Sequence, residues 1–454
     1  MTYLIVTSRC PFSYDKSHNK KVTKKNVGGV ATALKLLIEK EGGVWVCWGD
    51  GKLDPEHTVE DRGNYKIVRV ILNQKEKKGF YDEYSNGTLW PLFHYFRERI
   101  RFSSDGFKYY KQVNEKFKEK ILKYLEPDMK VWIHDYQLTL LPGMLRKSGT
   151  QNFTLFTWHI PWVASEFFSI LPEAEEIIHS LAKADMLTFH TPLYTSNFRA
   201  SAQKILRNSL NENGKLFSIS LGIDETYYEK ANARKARVKS LEGMKMIFSI
   251  DRLDYTKGLI NRVLAIENML DRFPEYAGKF VYVMVVTPSR TSVTEYQSLK
   301  RELEMTIGRV NGEHGNLSWA PIIYMYRRIS DKTLISYYSQ ADIALITPLM
   351  DGLNLVSKEF VSVTDSGSLI ISQFAGSSYD LKSGALVVNP NNIAEMADAI
   401  LYSLNMKREE IQRRLSLMKD NVYGKNLDWW LGEIESTADR KLMSSKESTY
   451  VHSR

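Results

Sequence analysis

This chain of 454 residues has only two cysteines, Cys10 and Cys47, so a disulfide scaffold cannot be the source of its fold. Both lie beside apolar, strand-like residues and neither has metal-ligand spacing, which fits a reducing cytoplasm best. No apolar run reaches about eighteen residues, so no membrane span is expected. The start, Met1-Thr-Tyr-Leu-Ile-Val-Thr-Ser-Arg9, lacks a basic leader and a cleavage site, so no secretory signal is expected there. A G-x-G-x-x-G motif and a P-loop lysine motif are both missing, and dehydrogenase and kinase readings lose their main support with them. No Asp-x-Asp pair stands at a strand end, so no metal is expected. Repeats and low-complexity tracts are absent too.

What is present reads as a large globular protein. Hydrophobic residues make up 43% and charged residues 25% of the chain, a balance that excludes wholesale disorder. The length exceeds one ordinary core, so two domains are expected. Net charge is +9, and the run Lys20-Lys-Val-Thr-Lys-Lys25 contributes to it. No aromatic-interleaved basic stripe accompanies that run, so it is expected to be a solvated loop, and nucleic acid is not expected as a partner. The excess charge suits anionic substrates.

Short apolar strands alternate with longer amphipathic segments. Leu4–Thr7, Val44–Trp48, Val131–Ile133, Phe153–Thr157 and Met186–Phe189 read as strands, with a helix over Val30–Ile38. A polar, lysine-rich helix is expected from Ala231 to Ser240. A second series follows, with strands at Met246–Ile250, Phe280–Val286, Ile322–Met325, Ile343–Ile346, Leu369–Ile371 and Ala385–Asn389, then a helix over Ile393–Met406. Such βαβ alternation, broken once, predicts an α/β protein with two Rossmann-like parallel-sheet domains facing across a cleft. The expected limits are 1–225, 226–415, and a C-terminal segment, 416–454, that crosses back to the first domain. Trp429 and Trp430 are candidate anchors for it.

Two stretches carry chemistry. Ser249-Ile-Asp-Arg252-Leu-Asp-Tyr-Thr-Lys257-Gly258 puts two cations on a short loop after an apolar strand. Asp351-Gly-Leu-Asn354-Leu-Val-Ser-Lys-Glu359 puts a Gly and an Asn at the mouth of a helix, whose free N–H groups suit an anion. Cations and a helix N-terminus at strand ends are what a nucleotide diphosphate needs. Gly28-Gly29 before the first helix and Arg9 after the first strand are candidates to join them.

Further segments fall into one pattern with these: Tyr81-Asp-Glu-Tyr-Ser-Asn-Gly-Thr-Leu-Trp90, Trp132-Ile-His-Asp135-Tyr, His159-Ile-Pro161, Thr287-Pro-Ser-Arg290, Ser372-Gln-Phe-Ala-Gly376 and Asn389-Pro390. From about residue 3 to about 435 the chain resembles the trehalose-6-phosphate synthase family, retaining glycosyltransferases of the GT-B fold. The resemblance implies a donor site of Gly29, His159, Arg252, Lys257, Ile329, Asp351, Asn354, Leu355 and Glu359. Within it, Arg252 and Lys257 would hold the diphosphate, Glu359 the ribose, and Asp351 and His159 the glucose; these four, without Glu359, are the catalytic candidates. It implies an acceptor site of Arg9, Tyr81, Trp90, Asp135 and Arg290 for glucose 6-phosphate. The arginine forks suit a phosphate.

Met350, Trp162-Val163, His190-Thr-Pro-Leu193 and the basic Tyr326-Arg-Arg-Ile329 depart from the family pattern. The nucleobase therefore stays open between UDP, which is favoured, GDP and ADP. The implied reaction moves glucose to glucose 6-phosphate with retention, giving α,α-trehalose 6-phosphate without cofactor or metal. Small molecules would be its partners, with no nucleic acid and no membrane, and self-association is left open. A glucosylglycerol-phosphate synthase, a pseudo-glycosyltransferase and a non-catalytic sugar-phosphate sensor are the alternatives on the same fold.

Overall fold

A computed structural model describes residues 2–17, 20–25, 29–207, 214–232, 243–290 and 293–452. The chain divides into two compact units, one made of Met1–Leu221 with Trp429–Arg454, the other of Gly222–Asp428.

The first unit contains strands β1 (Tyr3–Thr7), β2 (Phe12–Ser17), β3 (Lys20–Lys25), β4 (Gly43–Gly49), β5 (Val59–Asp61), β6 (Tyr65–Ile71), β7 (Lys130–His134), β8 (Thr154–Thr157), β9 (Met186–Phe189) and β10 (Leu216–Ser218). Eight of them form one sheet in the order β10-β9-β8-β7-β1-β4-β6-β5, parallel except where β5 meets β6. Every residue of β1 and of β7 is buried. Helices cover both faces of such a sheet, and its central strands therefore read as unbroken apolar runs. Strand β6 escaped the sequence reading because Lys66 and Arg69 interrupt its apolar residues. Arg69 is fully buried, 3.0 Å from Glu60 and 3.7 Å from Asp54.

The lysine run is not a loop. It forms β3, paired antiparallel with β2 from Phe12↔Lys25 to Ser17↔Lys20. Its lysines at 21 and 24 are exposed, which is why charge alone could not separate strand from loop. The helix expected over 231–240 lies mostly outside the described residues; the described part of that region is a helix over Glu225–Asn232.

The second unit contains β11 (Lys245–Arg252), β12 (Phe280–Thr287), β13 (Ile322–Tyr326), β14 (Ile343–Ile346), β15 (Ser368–Ser372) and β16 (Leu386–Val388). All pair parallel, in the order β13-β12-β11-β14-β15-β16. One core layer holds Ile247, Met284, Val286 and Leu345, the other Phe248, Val285, Ile346 and Ile371. The helix Arg408–Gly424 belongs to this unit and sends Leu415, Met418 and Val422 into the second layer.

The chain returns to the first unit on the helix Leu427–His452. Trp430 is fully buried, with its ring 5.4 Å from that of Trp132. Tyr3 donates to Glu435 at 3.2 Å, and Lys130 donates to Asp439 at 2.7 Å. An aromatic contact and two polar ones thus fasten the last helix to β1 and β7.

Each sheet reverses its strand order once, between β7 and β1 in the first and between β11 and β14 in the second. Ligands of parallel sheets bind beyond the strand C-termini at such a reversal. Among the sequence-derived candidates, Arg9, Asp135, Arg252 and Asp351 come at or after the ends of β1, β7, β11 and β14, at these places.

Candidate active site

In the second unit, Arg252 is the last residue of β11 and Lys257 ends the turn Tyr255–Lys257. Gly258 follows at φ 63°, and a Cβ there would come 2.5 Å from the Thr347 carbonyl, so only glycine closes this turn. The turn is held from inside the fold. Arg262, fully buried, is 2.6 Å from Asp251, donates to Thr347 at 3.2 Å and donates to the Lys257 carbonyl at 2.8 Å.

Across the strand reversal, Asn354 sits at φ 74° and caps the helix Leu355–Val363, its side chain accepting from the Ser357 N–H. Asparagine tolerates this left-handed conformation better than most residues. Asp351 accepts from Lys257 at 2.6 Å and from the Asn354 side chain at 3.1 Å. One carboxylate therefore aligns the lysine with the helix mouth. The sugar contact expected of Asp351 has to share those oxygens with Lys257 and Asn354.

Asp254 is the residue that sequence reasoning undervalued. It is fully buried, 3.6 Å from Arg290 and 3.9 Å from Arg252. Burial alone would raise its carboxyl; Arg290, Arg252 and Lys257 outweigh that and hold it below the ordinary range. A buried anion thus gathers the three cations assigned to substrate phosphates. Arg290 lies beyond β12 at φ 45° and also donates to the Tyr296 hydroxyl. A spacing of 36 residues between Asp254 and Arg290 hides this pairing from any local motif.

Glu359 accepts from Tyr338 at 3.0 Å and is also bonded by Tyr228; burial nevertheless raises its pKa. Ile329 lies on the loop between β13 and the helix Asp331–Gln340, half-buried against the core. Leu355 opens its helix.

In the first unit, β1 ends at Thr7, two residues before Arg9. Arg9 is exposed, donates to the Tyr81 hydroxyl and lies 3.9 Å from Asp50. Tyr81 lies within a twelve-residue π-helix, Lys78–Leu89, and Trp90 directly follows it; this rare geometry recurs at functional sites. Trp90 is buried, stacking on His94 at 4.0 Å and meeting Tyr136 at 5.9 Å.

Asp135, at the C-terminus of β7, has φ 73°. A β-strand end forced into this region stores strain, and such strain clusters at working sites. Burial pushes its carboxyl up to about 7, against hydrogen bonds from the Tyr136 and His159 N–H groups.

His159 sits between two other histidines. Its Nε2 is 3.0 Å from Nδ1 of His134, and its Nδ1 is 3.0 Å from Nε2 of His190. Both ring nitrogens meet histidines, so a sugar hydroxyl would have to replace one of these bonds. Burial lowers all of the resolved shifts here: His134 falls to about 3, and His159 lies well below its usual value. His134 and His159 are therefore neutral near pH 7. His190, one of the departures from the family pattern, completes the row.

Gly29 is the first residue of the helix Gly29–Glu41; Gly28 lies outside the described residues. Cys10 and Cys47 are joined as a disulfide, which corrects the expectation drawn from their scarcity. Among the described residues, the group spaced for a cation is Glu267, Glu313 and His314. Arg309 binds both glutamates and His314 lies 3.4 Å from Asp271, away from the strand ends.

Two parallel-sheet domains with cations and a helix mouth at the strand reversal have the architecture of the GT-B fold. The chain belongs to glycosyltransferase family 20, whose family model matches residues 2–440. It is 37% identical over 95% of its length to a bifunctional trehalose-6-phosphate synthase/phosphatase of Thermoproteus tenax, covering 62% of that protein. It is 34% identical over 98% of its length to a trehalose-6-phosphate synthase of Klebsiella pneumoniae, covering 96% of it. It is also similar to a crystal structure of an α,α-trehalose-phosphate synthase (UDP-forming) from Burkholderia xenovorans in complex with glucose-6-phosphate. That match has TM-score 0.85 and 28% identity, covering 97% of this chain and all of the other. The chain spans less than two thirds of two of the curated relatives it matches, 62% and 64%. No described helix is long and apolar enough to cross a membrane.

Proposed function

We propose that this chain transfers glucose from UDP-glucose to glucose 6-phosphate with retention of configuration, giving α,α-trehalose 6-phosphate and UDP. The observation that carries the reading is the cation set of Arg252, Lys257 and Arg290 gathered by buried Asp254 beside the helix mouth at Asn354. The names of the relatives supply the substrates. In this reading Arg252, Lys257 and the N–H groups at Leu355 stabilise the negative charge that builds on the leaving phosphate. The acceptor hydroxyl attacks from the leaving-group side and its proton passes to the departing phosphate oxygen. The protein then contributes position and charge instead of a nucleophilic carboxylate. The test is UDP release from UDP-glucose with glucose 6-phosphate, with the anomeric configuration of the product read by NMR. No release with UDP-, GDP- or ADP-glucose rejects the reading.

Fixed cations do the work of a metal in this scheme, so turnover is expected to survive EDTA after exhaustive dialysis. Loss on chelation, restored by magnesium or manganese, counts against it. The substrates are phosphorylated metabolites, which supports a cytoplasmic location, although the Cys10–Cys47 bridge is unusual for such a compartment.

The elevated Asp135 carboxyl gives a pH signature. It is neutral below about 7 and ionised above, and the ionised form accepts hydrogen bonds at both oxygens. Acceptor kcat/KM is expected to climb as pH rises through 7 and then level off. Asp135→Asn should flatten the climb. The second ionisation of a phosphate ester lies near pH 6, so a climb that survives in Asp135→Asn belongs to the substrate instead.

A further inference from the structure

We propose that the Cys10–Cys47 disulfide is a positioning device for Arg9, setting acceptor affinity without touching the donor. This inference rests on the reading that Arg9 grips the acceptor's phosphate. Arg9 lies beyond the end of β1 and is itself exposed, with its guanidinium at the Tyr81 hydroxyl and Asp50. Its backbone is fixed as well. The Thr7 hydroxyl donates to the Arg9 carbonyl at 2.7 Å, and the Trp45 indole donates to Thr7 at 2.8 Å. The very next residue, Cys10, is bonded to Cys47 on the neighbouring strand, and Cys47 faces Thr7 in the β1–β4 register. Asp50, just past the same strand, supplies the charge 3.9 Å from the guanidinium.

Strand β4 and the residue after it thus hold both sides of Arg9: by hydrogen bond before it, by covalent bond after it, and by charge at its tip. Each sulfur is shielded, Cys10 being 1% and Cys47 0% exposed. Reduction by a dithiol proceeds by thiol–disulfide exchange: one thiolate attacks a bridge sulfur and the second closes on the mixed disulfide. The protein gains two electrons and two protons as two thiols, and the dithiol becomes a cyclic disulfide. The segment carrying Arg9 is then tied to β4 by hydrogen bonds alone.

The bridge is tested first by alkylating the urea-denatured chain with iodoacetamide, without reductant, and weighing it. Neither cysteine is expected to react; two alkylated cysteines overturn the proposal. Cys10→Ser and Cys47→Ser are then compared with wild type and with Arg9→Ala. Expected is a KM for glucose 6-phosphate raised roughly tenfold, the cost of loosening a charge-assisted contact short of deleting it. KM for UDP-glucose should stay unchanged. In an Arg9→Ala background the serine variants should add nothing, since the bridge acts through that arginine. A purely structural bridge would lower the melting temperature and leave the acceptor KM alone, and that result overturns the proposal. Should the serine variants fail to fold, folded wild type reduced with dithiothreitol provides the same KM comparison. If Arg9→Ala itself leaves the acceptor KM unchanged, the acceptor role of Arg9 fails along with the proposal. If Arg9→Ala matters and the bridge does not, only the positioning role fails.

Discussion

Arg252→Ala and Lys257→Ala are each expected to lower kcat by roughly two to three powers of ten, the scale for removing one preorganised donor from a developing charge. The expectation separates chemistry from folding because of where the two side chains sit. Arg252 is half exposed and 3.9 Å from Asp254, and Asp254 keeps Arg290 at 3.6 Å when that arginine is gone. Lys257 is more enclosed and donates to Asp351 at 2.6 Å, but Asp351 keeps the Asn354 amide when the lysine is gone. Melting temperatures should therefore move little while turnover collapses. Lys257→Arg is a useful companion, since it keeps the charge and changes only its placement. Either alanine variant turning over at near wild-type rate with saturating substrates would remove the leaving-group assignment.

Asp254→Asn extends the same logic. The variant keeps the shape of the side chain and deletes the charge that gathers Arg252, Arg290 and Lys257. Three cations without their buried anion repel one another, so the variant should damage both substrates' use at once, where either arginine alone should damage one.

The fold was largely legible in the sequence because its central strands are buried on both faces. Tyr3–Val6 and Phe280–Val286 are apolar from end to end, and length together with flanking turns settles such runs as strands. Elements whose partners are polar were not legible. β6 buries Arg69 against Glu60 and Asp54, and β3 is a lysine-rich strand made regular only by its pairing with β2. Both depend on residues distant in the chain, which no local period reports.

The candidate site divides along the same line. Arg252, Lys257 and Asn354 stand on contiguous motifs, and the helix mouth at Leu355 follows from the Gly and Asn before it. Asp254 lies inside the first of these motifs, but its importance comes from burial and from Arg290, 36 residues further on. The histidine row likewise draws His134, His159 and His190 from the ends of three strands. Only the β7-β8-β9 order of the sheet makes them neighbours. Asp135 was chosen for its chemistry; its positive φ, and the burial that raises its pKa, are features that composition cannot express.

The acceptor assignment stands or falls on Arg290. Its guanidinium is nearly enclosed, 3.6 Å from Asp254 and bonded to Tyr296, so it is already oriented before any phosphate arrives. Preorganisation of this kind lowers the entropy lost on binding. Arg290→Ala is expected to cost roughly 1.5–3 kcal/mol in acceptor use, about one to two powers of ten in kcat/KM for glucose 6-phosphate. KM for UDP-glucose should rise far less, because Arg252 and Lys257 remain on Asp254 and Asp351. Arg290→Lys should recover part of the loss, keeping the charge while giving up the two-pronged fork. Wild type should also discriminate sharply against free glucose, whose use would leave the arginine's donors without their anion. Equal use of glucose and glucose 6-phosphate by wild type, or a silent Arg290→Ala, would overturn the reading of glucose 6-phosphate as the acceptor that Arg290 grips. Glycerol 3-phosphate would then be the first acceptor to try, since an enzyme that transfers glucose to it needs the same donor cradle and a smaller acceptor site.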